Sequence, residues 1–162
     1  IPTGCYTTQS VTVNPVPAPI TGPSSVCVGS SVTLTGSGTW SSSLPGIATV
    51  NTTTGVVTGV SAGSFVITCF APTGCYTTKS MMVELLPAIN NVTGGGGYCS
   101  GGSGVHIGID GSAVGVDYQL YESGIAVGSP LSGSTSGLDF GLITATGIYT
   151  VVATNTTTGC ES

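Results

Sequence analysis

The sequence predicts an all-β chain built as two small sandwiches in tandem, and three observations lead there. Its 162 residues are rich in Gly, Ser, Thr and Val and carry 9 prolines, a composition that favours strands and tight turns over helix. Short apolar runs with a period of two recur along the chain with glycines between them, and no stretch shows helical periodicity. Finally, the heptapeptide Pro2-Thr3-Gly4-Cys5-Tyr6-Thr7-Thr8 returns unchanged as Pro72-Thr73-Gly74-Cys75-Tyr76-Thr77-Thr78. The second copy falls where a β-domain should be finishing. The first opens the chain, as if it were the closing strand of a domain whose body is elsewhere.

Residues 1–15 form this orphan segment. Tyr6, Thr7, Thr8, Gln9, Ser10, Val11, Thr12 and Val13 read as one strand, rich in β-branched residues. Asn14-Pro15-Val16-Pro17-Ala18-Pro19 follows as a stiff linker, because each proline fixes φ and removes a donor. Residues 16–87 read as a complete sandwich. Its expected strands are Ser25–Val28, Ser31–Ser37, Thr39–Ser42, Ala48–Asn51, Val56–Val60, Ser64–Ala71 and Thr77–Leu85. Gly29, Gly46, Gly55, Gly63 and Gly74 punctuate them. Short strands and turns at this spacing are the pattern of an immunoglobulin-like sandwich. Leu86-Pro87-Ala88 is a second linker. Residues 88–162 read as another such sandwich, with strands at Ile89–Thr93, Gly104–Ile109, Gly115–Glu122, Ile125–Gly128, Leu138–Gly141 and Gly147–Asn155.

In the first sandwich Thr73-Gly74-Cys75 is followed by a last strand. In the second, Thr158-Gly159-Cys160 is followed by two residues. The second sandwich is therefore expected to lack its last strand, while a spare last strand stands at the other end of the chain. A missing strand leaves an unpaired edge and an open core. If residues 1–15 of one copy fill that place in the next, the result is a head-to-tail, self-propagating contact. The alternative is a segment cut from a longer tandem array. The start at Ile1 fits a processed product or a segment of something longer.

Charged residues make up 4% of the chain, against roughly 25% in an average soluble protein. Mean hydropathy is +0.48, so the low charge does not signal disorder. Such a surface has little to keep it monomeric, and implies either close packing in an assembly or a coat of glycans. The net charge of −5 sets six acidic residues against the single Lys79. That excludes an electrostatic nucleic-acid footprint and polybasic membrane binding. No apolar run is long enough to span a bilayer as a helix, so no membrane insertion is expected.

Thr39-Trp40-Ser41-Ser42-Ser43, Ile47-Ala48-Thr49-Val50 and Gly55-Val56-Val57-Thr58-Gly59-Val60-Ser61-Ala62-Gly63 resemble a group 2 bacterial immunoglobulin-like domain. Val26-Cys27-Val28-Gly29 and Pro72-Thr73-Gly74-Cys75-Tyr76 resemble the versions found in very long surface proteins of Bacteroidetes-type bacteria. Gly97-Tyr98-Cys99-Ser100-Gly101-Gly102 and Tyr118-Gln119-Leu120-Tyr121 are similar to a second repeat type found beside it. The resemblance implies extracellular stalks, adhesins or fibres, and it implies no particular ligand.

Six cysteines in small domains suggest disulfides and an oxidising compartment. Cys27 lies before the second-strand region and Cys75 just before the last strand, and Cys99 and Cys160 occupy matching places in the second sandwich, so the expected pairs are Cys27–Cys75 and Cys99–Cys160. Each would close a loop of roughly 50–60 residues, contributing on the order of 4 kcal/mol. Cys69 alternates inward with Phe65 and Ile67 as a small buried hydrophobe, and Cys5 is left for a partner outside the chain. With no C-x-x-C and one histidine, no metal site is expected. His106 has no Ser, Cys or Asp grouping to make it catalytic, so no enzyme and no cofactor are expected. Asp110, Asp117, Glu122 and Asp139 could offer oxygen ligands to Ca²⁺, but their spacing fits no loop motif and solvated acids are the plainer reading. Gly94-Gly95-Gly96-Gly97 lacks the Lys and helix of a phosphate loop. Asp117, Gln119 and Tyr121 could form a sugar-binding face or an ordinary outward strand face. Lys79 is weighed as an isopeptide donor, Asn51, Asn91 and Asn155 open N-x-Thr sequons, and Trp40 is read as core. The expectation is a structural subunit or repeat of an extracellular filament, its partner another copy of itself. The alternative is an adhesin module that binds glycans or surfaces.

Overall fold

The computed structural model describes residues 4, 5 and 7–162. They form an all-β protein that divides into two compact units, Ile1–Val83 and Glu84–Ser162. The first unit contains β1 (Ser25–Cys27), β2 (Ser31–Thr33), β3 (Thr39–Ser42), β4 (Ala48–Val50), β5 (Val56–Gly59) and β6 (Gly63–Phe70), and β7 (Tyr76–Glu84) closes it. The second contains β8 (Val92–Gly94), β9 (Val105–Ile109), β10 (Val116–Glu122), β11 (Ile125–Ser132), β12 (Leu138–Ile143) and β13 (Tyr149–Asn155).

In the first unit a four-stranded sheet runs β1-β7-β6-β3 and a three-stranded sheet runs β2-β5-β4. The period of two in β6 sends Phe65, Ile67 and Cys69 inward, and in β7 it sends Met81 and Val83 inward. Val57 and Ala48 meet them from the second sheet, with Trp40 and Leu34 in the same cluster. One core is thus shared by two sheets, as in a sandwich. Gly59 is required where two strands approach closely, since a Cβ there would lie 2.6 Å from the carbonyl oxygen of Cys27.

In the second unit the sheets run β11-β10-β13 and β12-β9-β8. Ile109, Val116, Tyr118 and Ala153 make the buried cluster, with Leu138, Phe140 and Val151 only partly covered around it. β11 is longer than the four residues expected, because it continues past Gly128 and through Pro130. An edge strand tolerates both residues: Gly128 (φ 69°) sits where the register shifts, and Pro130 needs no outer donor. Thr7–Pro19 belong to no strand, and Val11 and Val13 are 87% and 90% exposed.

Candidate functional site

β6 and β7 form a hairpin whose pairing begins at Phe70↔Tyr76 and runs to Gly63↔Val83. The turn closes when the Ala71 N–H donates to the Cys75 carbonyl at 2.8 Å. The second unit starts the same structure. The Asn155 N–H donates to the Cys160 carbonyl at 2.9 Å, Thr154 bridges Glu161, and the Ser162 N–H donates to the Ala153 carbonyl at 3.1 Å. By this register Thr154 stands where Phe70 does. Ala153, Val151 and Tyr149 then match Cys69, Ile67 and Phe65, and Gly147 matches Gly63.

The burial of these matched residues differs. Phe65, Ile67 and Cys69, on the strand that β7 flanks, are all buried. Ala153, which Ser162 covers, is buried, whereas Val151 and Tyr149 are only half-buried. β13 ends its sheet, with β10 on one side. The Thr156 N–H donates to Gly115 and the Ser123 N–H to Ile148, so even-numbered residues of this stretch face β10. Odd-numbered ones face the other side, where Asn155 and Ala153 meet Cys160 and Ser162. Tyr149 and Val151 therefore direct their backbone N–H and C=O groups to the side where no strand lies among the described residues.

Two hollows lie along this side. One, of about 120 Å³, is lined by Ile109, Tyr118, Val151, Ala153 and Ser162 together with Ala88, Ile89 and Asn90. Among the lining residues, the Tyr118 hydroxyl accepts from the Ala113 N–H at 2.9 Å, and the Asn90 amide donates to that hydroxyl at 3.4 Å. The other, of about 350 Å³, lies toward the Tyr149 end between Gly95–Gly97, Tyr98, Ile107 and Gly147. The arrangement can accept an extended chain along β13, with alternate side chains entering the two hollows.

Of the expected strand Tyr6–Val13, Tyr6 lies outside the described residues, as do Ile1, Pro2 and Thr3 of the repeated heptapeptide's first copy. Thr7, Thr8, Gln9, Ser10, Val11, Thr12 and Val13 are all exposed. In the frame of the repeat, Val11 and Val13 match Met81 and Val83, which are 3% and 1% exposed in β7.

The two expected disulfides are not formed. Cys75 and Cys99 are free thiols, as are Cys5 and Cys69, whereas Cys27 and Cys160 are disulfide-bonded. Geometry explains the correction. Cys27 lies at the Val83 end of β7, because a Cβ on Gly59 would touch both the Cys27 carbonyl and Val83. Cys75 lies at the other end, roughly 24 Å away along an extended strand, while a disulfide needs Cα atoms within about 7 Å. Cys99 lies next to Tyr98, which lines the hollow at the Tyr149 end of β13, and Cys160 stands at the Asn155 end. In each expected pair the two cysteines stand toward opposite ends of their unit.

The remaining candidates resolve into local roles. His106 Nδ1 lies 2.7 Å from Asp139 Oδ2, both exposed. The backbone N–H of Gly141 chiefly, and His106 second, hold the Asp139 carboxyl below its ordinary value. Asp110 accepts from the Asn91 backbone and side chain at 2.9 and 2.7 Å, and Asp117 accepts from the Ser132 hydroxyl at 2.8 Å. Glu122 accepts from the Ser123 hydroxyl at 2.9 Å. Among the described residues no three His, Cys, Asp or Glu side chains converge as a metal site. Gln119 donates its amide to the Leu120 and Val127 carbonyls at 2.8 and 3.0 Å. Lys79 pairs with Ile67 in the hairpin, and Trp40 is buried in the first core. Burial raises the Cys69 thiol above its ordinary value. No helix of the described residues is long and apolar enough to cross a membrane.

Sequence reasoning missed one recurring device, although its signal was present. Asn51-Thr52-Thr53-Thr54-Gly55 and Asn155-Thr156-Thr157-Thr158-Gly159 are the same five residues, and they form the same turn. No family model matches this chain, and no curated protein matches it.

Proposed function

We propose that this chain is a structural subunit or repeat of an extracellular filament or stalk, joined head to tail by β-strand donation. Each compact unit is read as an immunoglobulin-like sandwich. The N-terminal segment of one copy would add to the β13 edge of the next. The observation that carries this reading is the contrast between matched positions. Val11 and Val13 are exposed where Met81 and Val83 are buried, and Val151 and Tyr149 lack the cover that Ile67 and Phe65 have. The segment that needs a sheet has the sequence of the strand that the open edge would accommodate.

Three further features support the reading. The scarcity of charge leaves little repulsion between copies packed side by side. Disulfide-bonded cysteines fit an oxidising compartment outside the cell. The motifs resembling group 2 bacterial immunoglobulin-like repeats point to the same setting. The function is mechanical: hydrogen bonds along a donated strand are loaded in shear and yield together.

Removal of residues 1–15 tests this. Electron microscopy and sedimentation of the full chain should show concentration-dependent filaments that the shortened chain cannot form. Full-length chain that stays monomeric at high concentration, or shortened chain that still polymerises, would sink the reading. Retention of glycan binding by a chain that never polymerises would favour the adhesin alternative.

A further inference from the structure

Resting on that reading, the geometry points to one register for the donated strand: Gln9 opposite Val151, Val11 opposite Tyr149 and Val13 opposite Gly147. The two hollows take these three side chains. The register follows from two hairpins. In the first unit Ile67 pairs with Lys79, Phe65 with Met81 and Gly63 with Val83. The turn bonds Ala71 N–H to Cys75 and Asn155 N–H to Cys160 align β6 with β13, which sets Val151, Tyr149 and Gly147 at those places. The repeated heptapeptide aligns residues 6–13 with 76–83, so Gln9, Val11 and Val13 take the places of Lys79, Met81 and Val83. Glu161 and Ser162 already occupy the places of Tyr76 and Thr77. Thr8 and the residues after it therefore match the part of the β13 edge that no described residue covers.

The hollow near Val151 has Asn90, Tyr118 and Ser162 among its lining residues, and it stands opposite Gln9, the polar residue of the three. The hollow near Tyr149 is lined by Ile107 and by glycines 95–97, which leave room for a branched side chain. It receives Val11 and Val13. Ser10 and Thr12 face outward, as Ser80 and Met82 do in β7. A shift of one residue would turn both valines to solvent and bring two hydroxyls inward, which fixes the inward face, and the two hairpin turns fix the position along the edge. In the first unit the place matching the β13 edge is already filled, because β7 lies along β6.

Two double variants of the full chain test the register. Residues 10–13 are exposed in the dispersed chain, so neither variant should change its melting temperature. Val11→Asp with Val13→Asp should raise the critical concentration for assembly at least tenfold, since a buried carboxylate is strongly disfavoured. Ser10→Asp with Thr12→Asp should leave it within about twofold, as expected for outward positions. If the Ser10/Thr12 pair is the sensitive one, or both pairs are equally sensitive, the register is wrong while strand donation stands. If neither pair affects filaments that do form, strand donation itself is overturned.

Discussion

Asn51 and Asn155 close two separate turns in the same way. Asn51 Oδ1 accepts from the N–H groups of Thr53 and Thr54 at 3.0 and 2.9 Å, and Asn155 Oδ1 accepts from Thr157 and Thr158 at 2.9 and 3.0 Å. Each turn ends on a left-handed glycine, Gly55 at φ 71° and Gly159 at φ 72°. The surroundings differ. A Cβ on Gly55 would lie 2.8 Å from the Trp40 ring and 2.9 Å from the Leu34 carbonyl, whereas a Cβ on Gly159 would meet nothing within 4 Å. Gly159→Ala should therefore cost about 1–2 kcal/mol, the penalty of left-handed backbone alone. Gly55→Ala should cost about 1–3 kcal/mol more, because the packed indole must move. Urea unfolding followed by Trp40 fluorescence reads Gly55→Ala, in the unit that holds Trp40, and far-ultraviolet circular dichroism reads Gly159→Ala. Equal losses at the two sites would show that the indole contact does not matter.

These turns also show what was legible in the sequence. The strands were readable because valines and isoleucines alternate and glycines interrupt them, so β3 was expected at the residues where it lies, Thr39–Ser42. Thr158-Gly159-Cys160 repeats the local pattern of Thr73-Gly74-Cys75, which is why the sequence draws attention to the end of β13. The cysteine pairs were not readable. Position before a last strand says nothing about which end of the sandwich a residue occupies, and Cys27 and Cys75 stand at opposite ends. The His106–Asp139 contact was equally hidden. It depends on a register shift between Asp139 and Leu142, where Gly141 at φ 92° bends β12.

The thiols should report the fold directly. Cys5 and Cys99 are exposed, Cys75 is partly covered with its Sγ 3.8 Å from the Asn14 carbonyl, and Cys69 is buried. A maleimide at neutral pH should modify Cys5 and Cys99 first, Cys75 more slowly and Cys69 only on unfolding. The raised Cys69 thiol deepens its inertness, since the thiolate is the reactive form. Peptide mapping of a labelling time course gives the order. Rapid native labelling of Cys69 would contradict the packing of the first core.

Acid should weaken the β9–β12 pairing through Asp139. Its carboxyl is held low in the folded chain by the Gly141 N–H and by His106. A depressed folded value means the carboxylate's contribution is complete above the unfolded value of about 3.9, and is lost as pH falls through the folded one. The pair is exposed, so the effect should be small and should shrink in high salt. Asp139→Asn should flatten this part of the stability profile below about pH 4 while leaving neutral pH nearly unchanged. Chemical denaturation at a series of pH values, with and without salt, checks it. An unchanged acid limb in the variant would remove Asp139 from the account.

The open edge makes its own prediction about hydrogen exchange. Thr150 and Val152 face β10, while Tyr149 and Val151 face the side with no strand, as the bonds at Gly115, Ile148, Cys160 and Ala153 establish. In dispersed chain the amides of Tyr149 and Val151 should exchange quickly, and those of Thr150 and Val152 should be protected by their ladder partners. This alternation arises only if one flank of β13 is bare. The matching residues of β6, Phe65 and Ile67, lie under β7 and should be protected in all conditions. In assembled material a donated strand would pair with Tyr149 and Val151, and the alternation should vanish. Residue-resolved exchange on isotopically labelled chain, before and after assembly, measures both states. Protection of Tyr149 and Val151 already in dispersed chain would mean that the edge is covered locally. Persistence of their fast exchange in filaments would mean that copies join through some other surface.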